Sequence, residues 1–232
     1  MKRLNSMIKW DLILEVKYQI VTIAAIVTVL YCSIFLWFDM SQMKEVVVFF
    51  IFSDPALLGF MFIGAMVLFE KSAHTLSALV VTPLRVHEYL WSKALSLTFI
   101  ALVCSTAMAI AAFRFHFHFG YFFLAITLTS FFFIFFGFIG VARVKSLNHY
   151  LIILSTFLIP FFLPFFNYLG ITDNWLFYLI PTQGSLILLD ASINDMPIPK
   201  GKILYANACL LVWIIISFFL AKNAYIKYLI KK

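Results

Sequence analysis

Long apolar runs divide the chain into six segments that are separated by short polar stretches. The apolar residues in each run do not alternate with polar ones, and each run is about as long as a helix that crosses a bilayer. Such a helix needs roughly 20 residues at about 1.5 Å per residue. The pattern therefore predicts six spanning helices in one domain over 1–232, at 19–38, 46–69, 94–113, 119–142, 150–169 and 203–221.

Composition assigns the protein to the membrane class. The mean hydropathy is +1.04, and only 12% of the residues are charged, whereas a soluble domain has about a quarter. The 29 Phe residues show no period of two, which argues against a transmembrane barrel. We expect an all-α polytopic membrane protein.

The positive charges predict the orientation of the spans. If the N-terminus is inside, 13 of the 17 Lys and Arg residues fall in cytoplasmic parts of the chain. Cytoplasmic loops carry such an excess, so both termini are expected in the cytoplasm. The net charge of +7 is then explained by the cytoplasmic loops. Because the chain has no basic soluble face, we expect no nucleic-acid partner.

The segment FEKSAHTLSALVVTPLRVHEYLWSK at 69–93 separates the second and third spans. Ala73, Leu76 and Leu79 recur at helical spacing, which predicts a short amphipathic helix on the cytoplasmic side. Thr82 is a plausible N-cap and Pro83 suits a first helical turn, so a second helix should start there. Periodicity alone equally allows an interfacial helix lying on the lipid headgroups.

The same residues resemble the segment after the second span of type 2 ABC exporter permeases. In that family the segment is a coupling helix that fits a groove on a cytoplasmic ATPase subunit. The resemblance implies a coupling helix at 70–82 and coupling roles for Glu70, Thr75, Leu76, Leu79, Thr82, Pro83 and Leu84. His74 stands where the family usually has Gly, and Ser77 where an acidic residue is frequent.

Two further stretches look like the branch of fluoroquinolone-type drug exporters within that family. One is the opening MKRLNSMIKWDLILEVKY, and the other is IPTQGSLILLDA at 180–191. The first also predicts an amphipathic interfacial helix over 1–18. Asp11 and Glu15 interrupt its apolar face. Their side chains could snorkel to the polar layer or pair with Arg3 or Lys71, or they could contact a basic patch on the ATPase.

Asp54 is the most unexpected ionisable residue, because it lies within the second predicted span. A carboxylate at mid-depth costs at least about 3 kcal/mol, which would suggest a substrate or proton role. Alternatively, Ser53 or Asp54 caps a helix that begins at Pro55, and 46–52 forms a separate outer segment.

Two prolines and a long connection shape the outer half of the protein. Pro160 and Pro164 should kink or break the fifth span, and such a kink is a plausible hinge on the substrate path. The segment 170–202 contains apolar runs that are too short to span. The family implies short re-entrant helices there.

The sequence contains no phosphate-binding GxxxxGK[ST] loop, no HExxH and no GxSxG motif. We therefore expect no enzymatic activity, metal or cofactor on this chain, and ATP and Mg²⁺ on a partner. The resemblance implies two ATPase copies, a second permease subunit as a homodimer or heterodimer, and the inner (plasma) membrane of a bacterium.

The main hypothesis is the membrane subunit of an ATP-binding cassette exporter. It would move an amphipathic drug, peptide or lipid-like molecule out of the cell. The alternatives are an ion- or proton-coupled secondary carrier, for which Asp54 is the one serious coupling candidate, and a non-transporting immunity or sensing protein with the same fold.

Overall fold

The computed structural model describes residues 2–38, 43–73, 75, 85–144, 146–172, 174–194 and 198–230, and it is helical with no strand in these ranges. The α-helices are α1 (Lys2–Lys17), α2 (Ile20–Phe38), α3 (Lys44–Leu57), α4 (Ile63–Ser72), α5 (Val86–Phe113), α6 (Phe119–Arg143), α7 (Leu147–Phe162), α8 (Pro164–Tyr168), α9 (Pro181–Ile193) and α10 (Lys200–Tyr225). A π-helical turn (Leu58–Phe62) joins α3 to α4, a second one (Ile226–Ile230) follows α10, and a 3₁₀ helix (Trp175–Leu179) precedes α9.

Within the described ranges, six helices are long and apolar enough to cross a membrane, which confirms the six predicted spans. They are Ile20–Phe38, Lys44–Ser72, Val86–Phe113, Phe119–Arg143, Leu147–Tyr168 and Lys200–Tyr228. The second, third and fourth spans form the core, since 73%, 56% and 61% of the residues in their most apolar stretches are buried. The corresponding share is 22% in the first, fifth and sixth spans, which lie on the outside of the bundle.

The second span corrects one sequence interpretation. A helix starting at Pro55 is wrong, because α3 begins at Lys44 and continues through Asp54 and Pro55 to Leu57. Proline removes a backbone donor and disturbs the preceding turn, and wider π-helical turns accommodate such defects within membrane helices. Here a π-helical turn begins at Leu58. Asp54 is therefore part of a continuous span.

The hydrogen-bonding pattern of the fifth span is interrupted between the two prolines, as predicted, although Leu163 keeps helical backbone angles. Pro160 lies inside α7, Leu163 is a turn residue, and Pro164 is the first residue of α8. Proline suits a first helical turn, whose N–H groups lack partners within the helix. The break is observed; a role for it in transport stays a prediction.

Phenylalanine rings fill the interior between α6 and α7. The rings of Phe136 and Phe161 are nearly perpendicular at 89°, with centroids 5.1 Å apart, and Phe132 meets Phe161 at 82° and 5.3 Å. Edge-to-face pairs of this kind are favourable because of the ring quadrupole. Packing of this kind matters in lipid, where burial of apolar surface alone does not hold helices together.

Glycines allow α4, α6 and α7 to approach closely around Tyr150. A Cβ atom on Gly64 would lie 1.9 Å from Tyr150 Cε1, and one on Gly137 would lie 2.5 Å from Ile63 Cγ2. The Tyr150 hydroxyl donates to the carbonyl of Phe60 in the π-helical turn. The ring thus occupies space that any other residue at 64 would need.

The bundle has two distinct ends. Helix α1, the start of α5, the end of α6 and the end of α10 lie at one end, here called the terminus end, as the contacts of Asp11 with Lys93, Tyr89 with Tyr225 and Arg143 with Tyr228 indicate. At the opposite end, here called the far end, the His118 N–H donates to the Ser192 carbonyl at 2.7 Å. Helix α9 is largely buried there.

Candidate functional site

A cluster of buried polar side chains joins α1, α4 and α5 at the terminus end. Its members are Asp11 and Glu15 from α1, Glu70 from α4, and Tyr89, Ser92, Lys93 and Ser96 from α5. We call this set the buried charge cluster. Charged groups are rarely buried this completely unless they are paired and hydrogen-bonded, so the cluster is the first candidate for a functional arrangement.

Lys93 is the centre of the cluster. Its side chain has 0% exposure, and its Nζ lies 2.6 Å from Asp11 Oδ1 and also contacts Glu70 Oε1. A single ammonium therefore bridges two carboxylates on different helices. It also lies 5.3 Å from the centroid of the Tyr89 ring, within the range of a cation–π contact.

Hydroxyl groups satisfy the second oxygens of these carboxylates. The Tyr89 hydroxyl donates to Glu70 Oε2 at 2.6 Å, and Ser92 Oγ donates to Asp11 Oδ2. All three donors to Asp11 and Glu70 belong to α5. Helix α5 thus holds both α1 and the end of α4 through charge-assisted hydrogen bonds, which are stronger than neutral ones.

Glu15 is less completely satisfied than its neighbours. Ser96 Oγ donates to Glu15 Oε1 at 2.6 Å, but Oε2 is buried and has no hydrogen-bond partner among the described residues. Burial raises the pKa of Glu15 from 4.5 to about 7, with the Ser96 bond opposing the shift and the nearby Asp11 adding to it. With this pKa, the Glu15 carboxyl is partly protonated near neutral pH.

The cluster changes the interpretation of three charged residues. Lys93 was counted with the charges of the cytoplasmic loops, but it is fully buried. Asp11 and Glu15 form their bonds with α5. The spacing of these residues could have predicted the contact. Asp11 and Glu15 lie four residues apart, as do Ser92 and Ser96, so each pair occupies one face of its helix.

Some of the predicted coupling residues lie within the described ranges and others lie outside them. The Glu70 side chain is buried in the cluster, and the Thr75 hydroxyl donates to the Glu70 carbonyl at 3.0 Å. Lys71 donates to the carbonyls of Val141 and Val144, both at 2.9 Å. Outside the described residues lie Leu76, Leu79, Thr82, Pro83 and Leu84.

Asp54 lines a second candidate site in the middle of the second span. Its side chain is 5% exposed, and Ser105 Oγ lies 3.4 Å from its Oδ2. It borders an apolar cavity of about 130 Å³, together with Ala24 and Tyr31 of α2. This carboxyl group thus lies at the junction of a peripheral helix and the core, with one weak hydroxyl contact.

The proline break lies apart from this cavity. Pro160 is exposed and Pro164 is buried, and neither residue borders the Asp54 cavity. The structure therefore does not bring the three predicted path residues into one pocket. A shared role for them would require a path longer than this cavity.

Comparison with known proteins identifies the family. The pattern of the fluoroquinolones export permease protein family matches residues 2–232. The chain belongs to this family. Two relatives from strains of Mycobacterium tuberculosis, each named fluoroquinolones export permease protein, are 28% identical to this permease over 210 residues, which cover 89% of this chain and 87% of each relative.

Family membership confirms the resemblance to type 2 ABC exporter permeases of the drug export branch. Together with the six apolar helices, it makes the chain a multi-pass membrane protein. A permease is a non-enzymatic membrane subunit of a transport complex. The buried charge cluster and the Asp54 cavity therefore lie within the membrane subunit of a transport complex.

Replacing Lys93 by Met should strongly destabilise the protein. The substitution leaves the carboxylates of Asp11 and Glu70 buried without their cation, and breaking a buried pair in this way costs about 3–5 kcal/mol. The free energy of unfolding of the full chain in lipid nanodiscs measures the effect. Lys9→Met, which removes an exposed lysine of α1, is the control and should change stability by less than about 0.5 kcal/mol. Equal effects of the two substitutions would contradict the bridging role of Lys93.

Replacing Glu15 by Gln should remove part of the pH dependence of stability. Because the folded pKa is about 7 and the ordinary value is 4.5, folded Glu15 keeps its proton between these values while the unfolded chain loses it. Stability in the wild type therefore falls as the pH rises through this window. The Gln variant should gain stability over the wild type between about pH 4.5 and about pH 8 in unfolding experiments. A constant difference between the two proteins would show that Glu15 is ionised in the fold.

Proposed function

We propose that this chain is the transmembrane subunit of an ATP-driven exporter whose hydrolysis takes place on a separate cytoplasmic ATPase. Two ATPase copies would bind ATP and Mg²⁺, and two permease subunits would form the transport path. The full-length match to a family of export permeases supports this function. The excess of Lys and Arg in the parts of the chain at the terminus end supports a cytoplasmic position for both termini, in the inner membrane of a bacterium.

The observation that carries the coupling mechanism is the buried charge cluster. The sequence predicts the coupling helix at 70–82, but residues 70–72 form the last turn of α4, so the connection to α5 begins at Ala73. The Glu70–Lys93 ion pair joins the end of α4 to the first turns of α5, on either side of this connection. A force on the segment would therefore reach both helices together. Asp11 adds α1 to the same unit, so motion of the ATPase would be passed to three helices as one body.

In this mechanism α1 is an interfacial helix over 1–18. Trp10, Ile13 and Val16 are 63%, 45% and 60% exposed, although they are large and apolar. Lipid headgroups and acyl chains could cover such a surface, while Lys9 and Lys17 remain exposed to the polar layer. The buried Asp11 and Glu15 face α5 instead.

A second permease subunit would complete the substrate path. The outer helices α2, α7 and α10 expose apolar side chains, among them Ile26, Val29 and Ile159 at 62–68%, which either lipid or a partner subunit could cover. The Asp54 cavity borders α2. Alternating access would follow from rigid-body tilting of the two halves, with the break between α7 and α8 as a hinge. Helices at 170–202 would cap the path as a re-entrant segment.

The names of the relatives and the chemistry of the Asp54 cavity walls support a proposal for the substrate class. Both curated relatives are named for fluoroquinolone export. Fluoroquinolones are amphipathic aromatic molecules, and cavities lined by aromatic side chains bind such shapes with few polar contacts. We propose an amphipathic drug as the substrate, of which a fluoroquinolone is the first candidate to test.

Replacing Leu76 and Leu79 together by Asp should uncouple the transporter. The charges would lie on the apolar face of the proposed coupling helix, where desolvation opposes docking on the ATPase. We expect the variant to remain in the membrane but to lose its copurifying ATPase and ATP-driven drug uptake into inverted vesicles. Gly201→Asp is the control, since a Cβ at 201 meets open space at the far end. Normal ATPase retention by the Leu variant would reject the coupling helix.

Replacing Asp54 by Asn should slow export without destabilising the fold. The amide has the shape of the carboxyl group but lacks its charge, so the cost of burial falls while the ability to bind a cation or a proton is lost. The measurement is the initial rate of ATP-driven uptake of a fluorescent fluoroquinolone, with the unfolding midpoint recorded in parallel. Ser53→Ala alters the same cavity without removing charge, and it should transport normally. An Asn variant with the wild-type rate would exclude Asp54 from the path.

A further inference from the structure

The cavity beside Asp54 opens on the outer face of the bundle. Ile23 and Val27 of α2 and Met61 of the π-helical turn line it, and they are 44%, 36% and 36% exposed. All three side chains are apolar, and α2 is a peripheral span of which little is buried. The mouth of the cavity therefore lies where the acyl chains of the bilayer would surround the protein.

The π-helical turn after α3 forms one wall of the cavity. Leu58, Met61 and Phe62 all belong to this turn. Such turns interrupt the regular hydrogen-bond ladder of a helix and are frequent at functional sites. The irregular part of the second span thus borders the same cavity as Asp54.

Asp54 lies deep in the hydrophobic part of this span. It follows Lys44, the first residue of α3, by ten residues, which corresponds to about 15 Å at roughly 1.5 Å per residue. This is half of a hydrocarbon core of about 30 Å. Lipid headgroups lie at the surface of the bilayer, so a partner for this carboxyl group must come from the protein or from a molecule dissolved among the acyl chains.

The protein supplies little to balance this carboxyl group. Ser105 Oγ makes a long contact of 3.4 Å with Oδ2, and no donor to Oδ1 is present among the described residues. The ion pairs of the described ranges involve Lys93, so Asp54 has no cationic partner in them. A buried charge without a cation carries a large desolvation cost. Because Asp54 is 5% exposed and borders the cavity, a ligand in the cavity could reach it.

The volume of the cavity limits what it can enclose. It is about 130 Å³, whereas drug-sized molecules fill pockets of roughly 300–1,000 Å³. An engineered apolar cavity of roughly 150 Å³ in another protein holds a benzene ring and stays free of water. The Asp54 cavity therefore suits a small ring or a short alkyl arm, while the rest of a larger molecule would remain at the mouth between α2 and lipid.

We propose that the Asp54 cavity is a lateral binding site that takes the ammonium group of an amphipathic amine from the bilayer. The N–H groups would donate to Asp54, and the adjoining apolar arm would pack on Ala24, Val27 and Phe62. An ammonium ion supplies the donors and the positive charge that the carboxylate lacks, and the resulting pair carries no net charge. The inference rests on the proposed export function, for which it assigns the entry site and narrows the substrate class to lipophilic amines.

Other occupants fit the cavity less well. A metal ion prefers several oxygen ligands, and the described residues contain no group of three or more His, Cys, Asp or Glu side chains that could hold one. Water would bond to the carboxyl group but leave the apolar walls without contact. An uncharged apolar molecule would fill the walls but leave the carboxyl group unpaired. A cation with a small apolar arm matches both parts of the cavity.

The first test measures binding to the permease alone in nanodiscs of phosphatidylcholine, whose headgroup has no N–H donor. Tritiated benzylamine carries the cation, and tritiated benzyl alcohol is a neutral counterpart of nearly the same shape. Binding to empty nanodiscs is subtracted for each compound. We expect benzylamine to bind about tenfold more tightly than the alcohol, as a charge-assisted hydrogen bond implies. Equal binding of the two compounds would overturn the proposal.

Replacing Asp54 by Asn removes the charge and keeps the shape of the group. The substitution should weaken binding of benzylamine about tenfold and leave that of benzyl alcohol unchanged. Glu88→Gln is the matched control, since it removes the charge of a carboxylate that caps the start of α5 at the terminus end, and it should alter neither affinity. Unchanged amine binding by the Asn variant would reject Asp54 as the anchor.

Replacing Val27 by Trp tests the position of the mouth. Val27 lines the cavity from the exposed face of α2, so an indole there would fill the opening without entering the core. Both compounds should then bind several-fold more weakly. Ile26→Trp is the control, because Ile26 is exposed on the same helix but does not line the cavity. Equal effects of the two Trp substitutions would overturn lateral entry, and this comparison holds even if the Asp54 variant does not fold.

The binding assay also separates this inference from the proposed function. It requires neither an ATPase nor ATP, so absence of amine selectivity rejects the lateral site whatever drives transport. ATP-driven uptake of the fluorescent fluoroquinolone is measured separately with the ATPase present. Intact binding of benzylamine without ATP-driven uptake would reject the export function and leave the site in place.

Discussion

The burial of one lysine between two carboxylates is the constraint on which the terminus end of this permease depends. Moving three charges out of water carries a large desolvation cost, which is offset only when geometry and additional hydrogen bonds are favourable. Lys93 meets that condition with Asp11 and Glu70 as ion-pair partners and with the Tyr89 and Ser92 hydroxyls on the remaining oxygens. Separating α1, α4 and α5 would leave these charges buried without partners, which makes motion of the three helices relative to one another costly.

Within the described ranges, the rest of the bundle is held together by close packing of side chains and not by buried ion pairs. In lipid, apolar burial does not by itself bring helices together, so close packing and polar contacts must do so. The core achieves it with interlocking rings such as Phe136 and Phe161 and with the approach of Gly64 to Tyr150. The outer helices lack comparable burial. The molecule thus combines a tightly packed centre, an ionic junction at one end and an apolar exterior that requires lipid or a partner.

The six spans could be predicted from the sequence because a bilayer demands long apolar runs, and α2, α6 and α10 match theirs closely. The continuation of α3 through Pro55 could not be predicted, since proline is common both at helix starts and inside membrane helices. Lys93 was missed for a different reason. A count of charges places every lysine near a membrane boundary in water. Only the folded structure shows that Lys93 lies between the carboxylates of Asp11 and Glu70. The coupling prediction at Leu76 and Leu79 concerns residues outside the described ranges.

The degree to which each buried acid is satisfied separates structural from functional roles. Asp11 and Glu70 have a donor on each oxygen and a shared cation, so the fold itself compensates their burial. Asp54 has one hydroxyl at 3.4 Å, and Asp190 lines an open cavity together with a second carboxylate, Glu45. Unsatisfied polar groups persist only where something offsets their cost. A transporter must release its substrate, so its binding groups are expected to be those that the fold itself leaves incomplete.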